Sequence, residues 1–117
     1  MAAHLLDDVR VDIGGQDELG AAADELERLA AASTRGDWRV GGLLATRPEV
    51  IAHFDGGATE HVAEARAGTA RWIAALSPAL AQPLADWLRS ASRADQPDPA
   101  ALAFARDLCR ALGTARS

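Results

Sequence analysis

From Thr59 to Ser92 the chain carries its longest run of helically spaced apolar residues. Val62, Ala65, Thr69, Trp72 and Leu76 recur at three and four residues, which predicts one face of a 3.6-residue helix. Thr59 is placed to cap that helix, with Glu60 in its positive first turn. Ser77 stops the pattern and predicts a new cap, because Pro78 suits a first helical position whose N–H would have no partner. A second row at Leu80, Leu84, Trp87, Leu88 and Ala91 completes a predicted helical hairpin. Pro83 lies too deep for the first turn of that second helix as drawn from Ser77. It predicts either a kink, at a cost of ~3 kcal/mol, or a later start.

Upstream, Val9, Val11 and Ile13 alternate within residues 5–13, which predicts a short strand with one buried face; a helical turn through Leu5 and Leu6 is the alternative. Gly14 and Gly15 are expected to end either. Asp17 then caps a helix to about Ser33, with Leu19, Ala22, Ala23, Leu26, Leu29 and Ala30 on one side and Asp24 facing Arg28. Residues 33–57 break the helical period with five glycines and one proline. Trp38 to Ala45 and Val50 to Phe54 read as a β-hairpin turning at Pro48, with Gly41 and Gly42 marking a bulge or a close approach. Asp55-Gly56-Gly57 is a turn. After a polar linker from Ser90 to Pro97, Asp98 and Pro99 open a last helix with the stripe Leu102, Ala105, Leu108, Cys109 and Leu112, closed by Gly113. The expected fold is α+β and mainly α: four helices with a small β-hairpin or three-stranded sheet, in a single domain over residues 1–117.

Composition changes this picture in one respect. Aromatic residues make up 4% of the 117, with no tyrosine, so the interior must be mostly Ala, Leu and Val. Small side chains each remove little apolar area from water, at about 25 cal/mol per Å². The expectation is a homo-oligomer, most simply a homodimer, in which a second copy supplies the missing cover. All 12 basic residues are arginine, as in proteins of GC-rich, actinobacterial genomes. The net charge of −5 argues against nucleic acid and anionic membrane as partners and leaves a basic protein as one that would fit. One cysteine, Cys109, excludes an internal disulfide, and the acidic residues near the start interrupt any signal-like apolar run. Both point to a cytoplasmic protein.

Between Leu29 and Ser92 the chain resembles small uncharacterised proteins of actinobacterial phages and prophages. In these, a helix ends in a motif like Ala-Ala-Thr-Pro-Gly-Pro-Trp, a hairpin follows, and a helix with an Ile-Ala-Ala centre leads into a proline-opened, leucine-rich helix. The corresponding residues here are Ala31-Ala32-Ser33-Thr34-Arg35-Gly36-Asp37-Trp38 and Trp72-Ile73-Ala74-Ala75-Leu76-Ser77-Pro78. Arg35 and Asp37 stand where the motif has prolines. The resemblance implies an accessory protein of phage-like origin and no catalytic residues.

Three functional readings follow. The first is a non-enzymatic interaction module, acting as a homo-oligomer and binding a protein partner in an accessory, inhibitor or antitoxin-like role; it needs no cofactor. The second is a ligand-sequestering protein whose pocket is walled by Trp38 with Arg39 and Arg71, since indole faces and guanidinium groups stack on planar or charged ligands. The third is a metal-dependent hydrolase. His53 and Asp55 share a face of a strand, and His61 and Glu64 sit at i,i+3 on the next helix. Two imidazoles and a carboxylate could hold zinc or manganese with one position open for water, Glu60 or Glu64 serving as general base. Trp72 and Trp87 lie on apolar stripes and are expected in the core or at a protomer interface.

Overall fold

The computed structural model describes residues 2–42 and 48–113, and the side chains among them from Gly14 onward. The fold is α+β and mainly helical, with a three-stranded antiparallel sheet. Its order is α1 (Ala2–Ala32), β1 (Asp37–Gly41), β2 (Glu49–His53), β3 (Thr59–Glu64), α2 (Ala67–Ala75), a 3₁₀ turn (Pro78–Leu80), α3 (Ala81–Ser92) and α4 (Pro99–Ala111). Contacts divide the chain into two compact units. One comprises Met1–Glu27 with Gln82–Ser117 and is helical among its described residues; the other is Arg28–Ala81 and holds the sheet.

In the helical unit, Leu19, Ala22 and Ala23 of α1 meet Ala85 and Leu88 of α3 and Ala101 and Ala105 of α4 in one buried cluster, edged by Leu26, Leu102, Phe104, Leu108 and Cys109. α1 differs from expectation. Residues 5–13 are helical, not a strand, and the helix runs straight through Gly14 and Gly15. Leu6, Val9 and Ile13 are spaced by three and four, while Val9, Val11 and Ile13 are spaced by two, so the sequence was compatible with both periods. Gly15 works as a contact site and not as a stop: a Cβ there would lie 3.2 Å from Pro97 Cγ and 3.4 Å from Leu102 Cδ2. The missing side chain lets the residues leading into α4 approach α1 closely.

α4 begins and ends where its caps place it. The Asp98 carboxylate accepts the Ala100 N–H at 3.2 Å, Pro99 is the first residue, and Gly113 takes φ +72° just beyond the end. Ser77 likewise caps, its Oγ accepting from Ala79 N at 3.3 Å. What it opens is the 3₁₀ turn, and α3 starts at Ala81, so Pro83 falls in the first turn of α3 where a missing N–H leaves no gap in the ladder.

The sheet has the order β1-β2-β3, both pairs antiparallel. β1 ends at Gly41, and the expected continuation over residues 43–45 lies outside the described residues. Gly41 faces Ile51, whose Cδ1 would be 2.8 Å from a Cβ at that position. The irregularity in pairing falls instead between Val50 and Ile51 against β3. The largest correction is β3 itself. Thr59–Glu64 is a strand and Thr59 caps no helix. Gly56 and Gly57 both adopt left-handed φ, +88° and +94°, and Phe54 and Ala58 close a tight hairpin through Phe54 N to Ala58 O at 2.9 Å. That turn returns the chain along the open side of β2, where pairing satisfies a row of backbone groups that a helix would have left to water.

α2 follows from Arg66, an extended cap residue with no side-chain cap bond. It lies against β1 and β2, with Ala70 fully buried and Ile73 and Ala74 half-buried. The helix thus buries its small residues. Thr69, Trp72 and Leu76, the face expected in the core or at a protomer interface, are exposed in the single chain.

Candidate functional site

Alternation along the strands sorts the sheet unit's side chains into two faces. Trp38 and Val40 share one with Val50, Ala52 and Ala63, by their register positions. Val50 and Ala52 are completely buried there. Trp38 is half-buried, and its indole N–H donates to the carbonyl of Thr34 at 3.0 Å, pinning the connection between α1 and β1. Arg39 points to the opposite face, where its Nε donates to Asp37 Oδ2 at 2.7 Å. Arg71 is on the exposed side of α2. The sheet therefore parts Trp38 from Arg39, which a shared ligand pocket would have required on one side.

The second face is polar: Asp37, Arg39, Glu49, His53, His61 and Glu64 stand around Ile51. His53, at the end of β2, is directly opposite both Asp37 and Thr59, and His61 is opposite Ile51, so the two histidines are diagonal neighbours on adjacent strands. They share a face, as the metal reading needed, but through strand pairing and not through the i,i+3 step of a helix. His61 Nδ1 lies 3.6 Å from Glu49 Oε2, and Glu49 stands opposite Glu64 in the register. Asp55 is an exposed turn residue beyond the end of β2. Among the described residues, no group of three or more His, Cys, Asp or Glu side chains is gathered so as to hold a metal ion.

In the helical unit several of the described charged groups are occupied with one another. Arg89 donates to Glu27 and to Asp24, each at 2.8 Å, and Gln82 donates to Glu27 at 3.2 Å. The Arg89 hydrogen bonds hold the Glu27 carboxyl below the ordinary glutamate range, outweighing the opposing effect of partial desolvation. The Arg89 guanidinium is in turn held charged more firmly, first by Glu27 and then by Asp24. Arg106 is raised in the same way by Glu18, 2.8 Å away. These pairs tie α1 to α3 and to α4.

The chain also exposes apolar side chains, at positions where the sequence predicts core or a protomer interface. Trp72 on α2 is 68% exposed, Leu76 at its C-cap 51%, and Leu80 in the 3₁₀ turn that Ser77 separates from α2 37%. Neither remaining indole is core: Trp87 of α3 is 41% exposed and tilts against Phe104 with ring centroids 5.7 Å apart. A signal for this was present in the run from Gly68 to Ala75. Its alanines form a second helical face, and a sheet accepts small residues at closer range than it accepts indole.

No family model, no curated protein and no solved structure matches the chain. No helix among the described residues is long and apolar enough to cross a membrane.

Proposed function

We propose that the protein is a small, non-enzymatic interaction module that works as a homo-oligomer in the cytoplasm and binds a protein partner, in an accessory, inhibitor or antitoxin-like role. The supporting observation is an inversion of size between inside and outside. The helical cluster buries two leucines and five alanines, whereas Val40, Trp72, Leu76, Leu80, Trp87 and Leu112 remain exposed. Apolar side chains left in water individually are ordinary, but two indoles and three leucines among so few large residues mark surface that a protein contact covers. The phage-like origin implied by the motif around Trp38 fits a small accessory protein of this kind.

Light scattering of the purified chain over the micromolar range tests the reading. The expected mass is that of a dimer or higher oligomer. A monomer mass throughout, unchanged as concentration rises, would overturn it.

A further inference from the structure

The sheet has two open edges, β1 and β3, with β2 between them. Phe54 N–H donates to Ala58 O at the turn from β2 to β3, so antiparallel alternation aims the main-chain groups of His53, Ile51 and Glu49 at β1. Asp37, Arg39 and Gly41 stand opposite those three residues and return their bonds. The N–H and C=O groups of Trp38 and Val40 are thereby left on the outer side of β1, and among the described residues no other main chain pairs with them. Val40 is also 41% exposed, on the face it shares with Trp38.

This edge is complementary to itself. Laid antiparallel on a second copy about an axis through Arg39, β1 sets Trp38 across from Val40 and Asp37 across from Gly41 on both sides of the axis. Trp38 and Val40 then exchange N–H to C=O bonds with Val40 and Trp38 of the second copy, and each indole covers an exposed valine. On the polar face Arg39 meets Arg39. Each guanidinium already holds its own Asp37 at 2.7 Å and gains the second copy's Asp37 as a diagonal neighbour, so the charges balance. β3 has no such complementarity: it brings Glu60 and Glu64 with no arginine, and the extra residue at Val62 interrupts its row of outward groups. Pairing β1 on β3 would leave an edge open at each end and grow without limit, whereas β1 on β1 closes as a twofold dimer.

From this we propose that two copies of the chain join β1 to β1, antiparallel and centred on Arg39, so that their two sheets become one continuous sheet. The proposal rests on the reading of the protein as a homo-oligomer, and it assigns that oligomer its interface.

The test is sedimentation of the full chain together with cysteine cross-linking. Wild type is expected to sediment as a dimer. Val40→Pro removes an outward N–H and should raise the dimer dissociation constant at least about tenfold with the circular dichroism spectrum unchanged, since an edge strand tolerates proline where its N–H faces outward. Arg39→Cys in a Cys109→Ala background sets two thiols in a non-hydrogen-bonded pair, with Cα atoms about 4.5 Å apart and so within disulfide reach. Oxidised glutathione should convert that variant to a covalent dimer. Val40→Cys in the same background puts its thiols diagonally, with Cα atoms about 7–8 Å apart, and should run as a monomer on denaturing gels. These two cysteine variants decide the matter if Val40→Pro fails to fold. A wild-type monomer at every concentration would overturn both this interface and the homo-oligomer. A wild-type dimer whose affinity Val40→Pro leaves unchanged, or which gives no covalent dimer through Arg39→Cys, keeps the homo-oligomer and overturns the interface alone. Cross-linking through Trp72→Cys and not through Arg39→Cys would do the same, giving the contact to α2.

Discussion

In the helical unit seven buried side chains among the described residues form one continuous cluster, five of them alanine, and the flanking ion pairs fasten the helices along its rim. In the sheet unit the sealed set among the described residues is Val50, Ala52, Ala70 and Ala81, Trp38 and Phe54 are half-buried, and Trp72, Leu76 and Leu80 face outward. The difference teaches that two ways of using few large residues coexist in one short chain. Where helices meet helices, alanine and Gly15 allow close approach, so stability depends on interlocking shape and is sensitive to any change of volume. Where one helix covers a sheet, a thin layer of small residues is enough to seal two strand positions, and the bulk is left for surface.

The largest effect that would sharpen this contrast is Leu88→Ala. It empties one of the two large positions of the helical cluster and should cost about 2–5 kcal/mol in urea unfolding followed by circular dichroism. Val50→Ala in the sheet should cost less, about 2 kcal/mol, because fewer atoms are removed from a smaller sealed volume. An equal or greater loss for Val50→Ala would break the comparison. The adjacent glycines of α1 give the next test, with opposite signs. Gly15→Val should destabilise by about 1–3 kcal/mol through collision with Pro97 and Leu102. Gly14→Ala, with nothing within 4 Å of the new methyl, should stabilise by up to about 1 kcal/mol. Thermal melts of both variants decide it.

The smallest effect concerns the rim. Glu27 has a lowered folded-state pKa, so its stabilising contribution is fully present above the ordinary glutamate value and disappears as pH falls through the lowered one. Wild type should therefore melt above Glu27→Gln at neutral pH, and the gap should close in strong acid. A gap that widened with acid would show that Arg89 does not hold Glu27 ionised.

Elements governed by local chemistry were legible in the chain itself. Asp98-Pro99 with Gly113 bounds α4, Ser77-Pro78 marks a start, and the stripe from Leu19 to Leu26 lies in the helical cluster or packed against it. Elements governed by distant partners were not. Thr59–Glu64 alternates too weakly to announce a strand, and only pairing with β2 selects that conformation over the helix its spacing also permits. The helical spacing from Val62 to Leu76 crosses a strand, a bend and a helix, so its regularity had no single structural cause. Once β3 forms, α2 has a sheet on one side, and the choice between burying Ala70 and burying Trp72 is made by that sheet. For the same reason the relation of His53 to His61 was read on the wrong geometry, and Trp38 and Arg39, neighbours in sequence, were parted by a strand's alternation.

The chain has no tyrosine, so its near-ultraviolet emission belongs to three indoles in three unlike settings. Trp38 is half-buried with its N–H bound to a carbonyl, Trp87 leans on a phenyl ring, and Trp72 stands mostly in water. Replacing any two with phenylalanine leaves one lamp, and only the lamp at Trp72 should glow red-shifted and be readily quenched by acrylamide. The molecule thereby carries its own optical gauge: whatever settles on α2 should turn that light toward the blue and shield it from the quencher, with no dye attached.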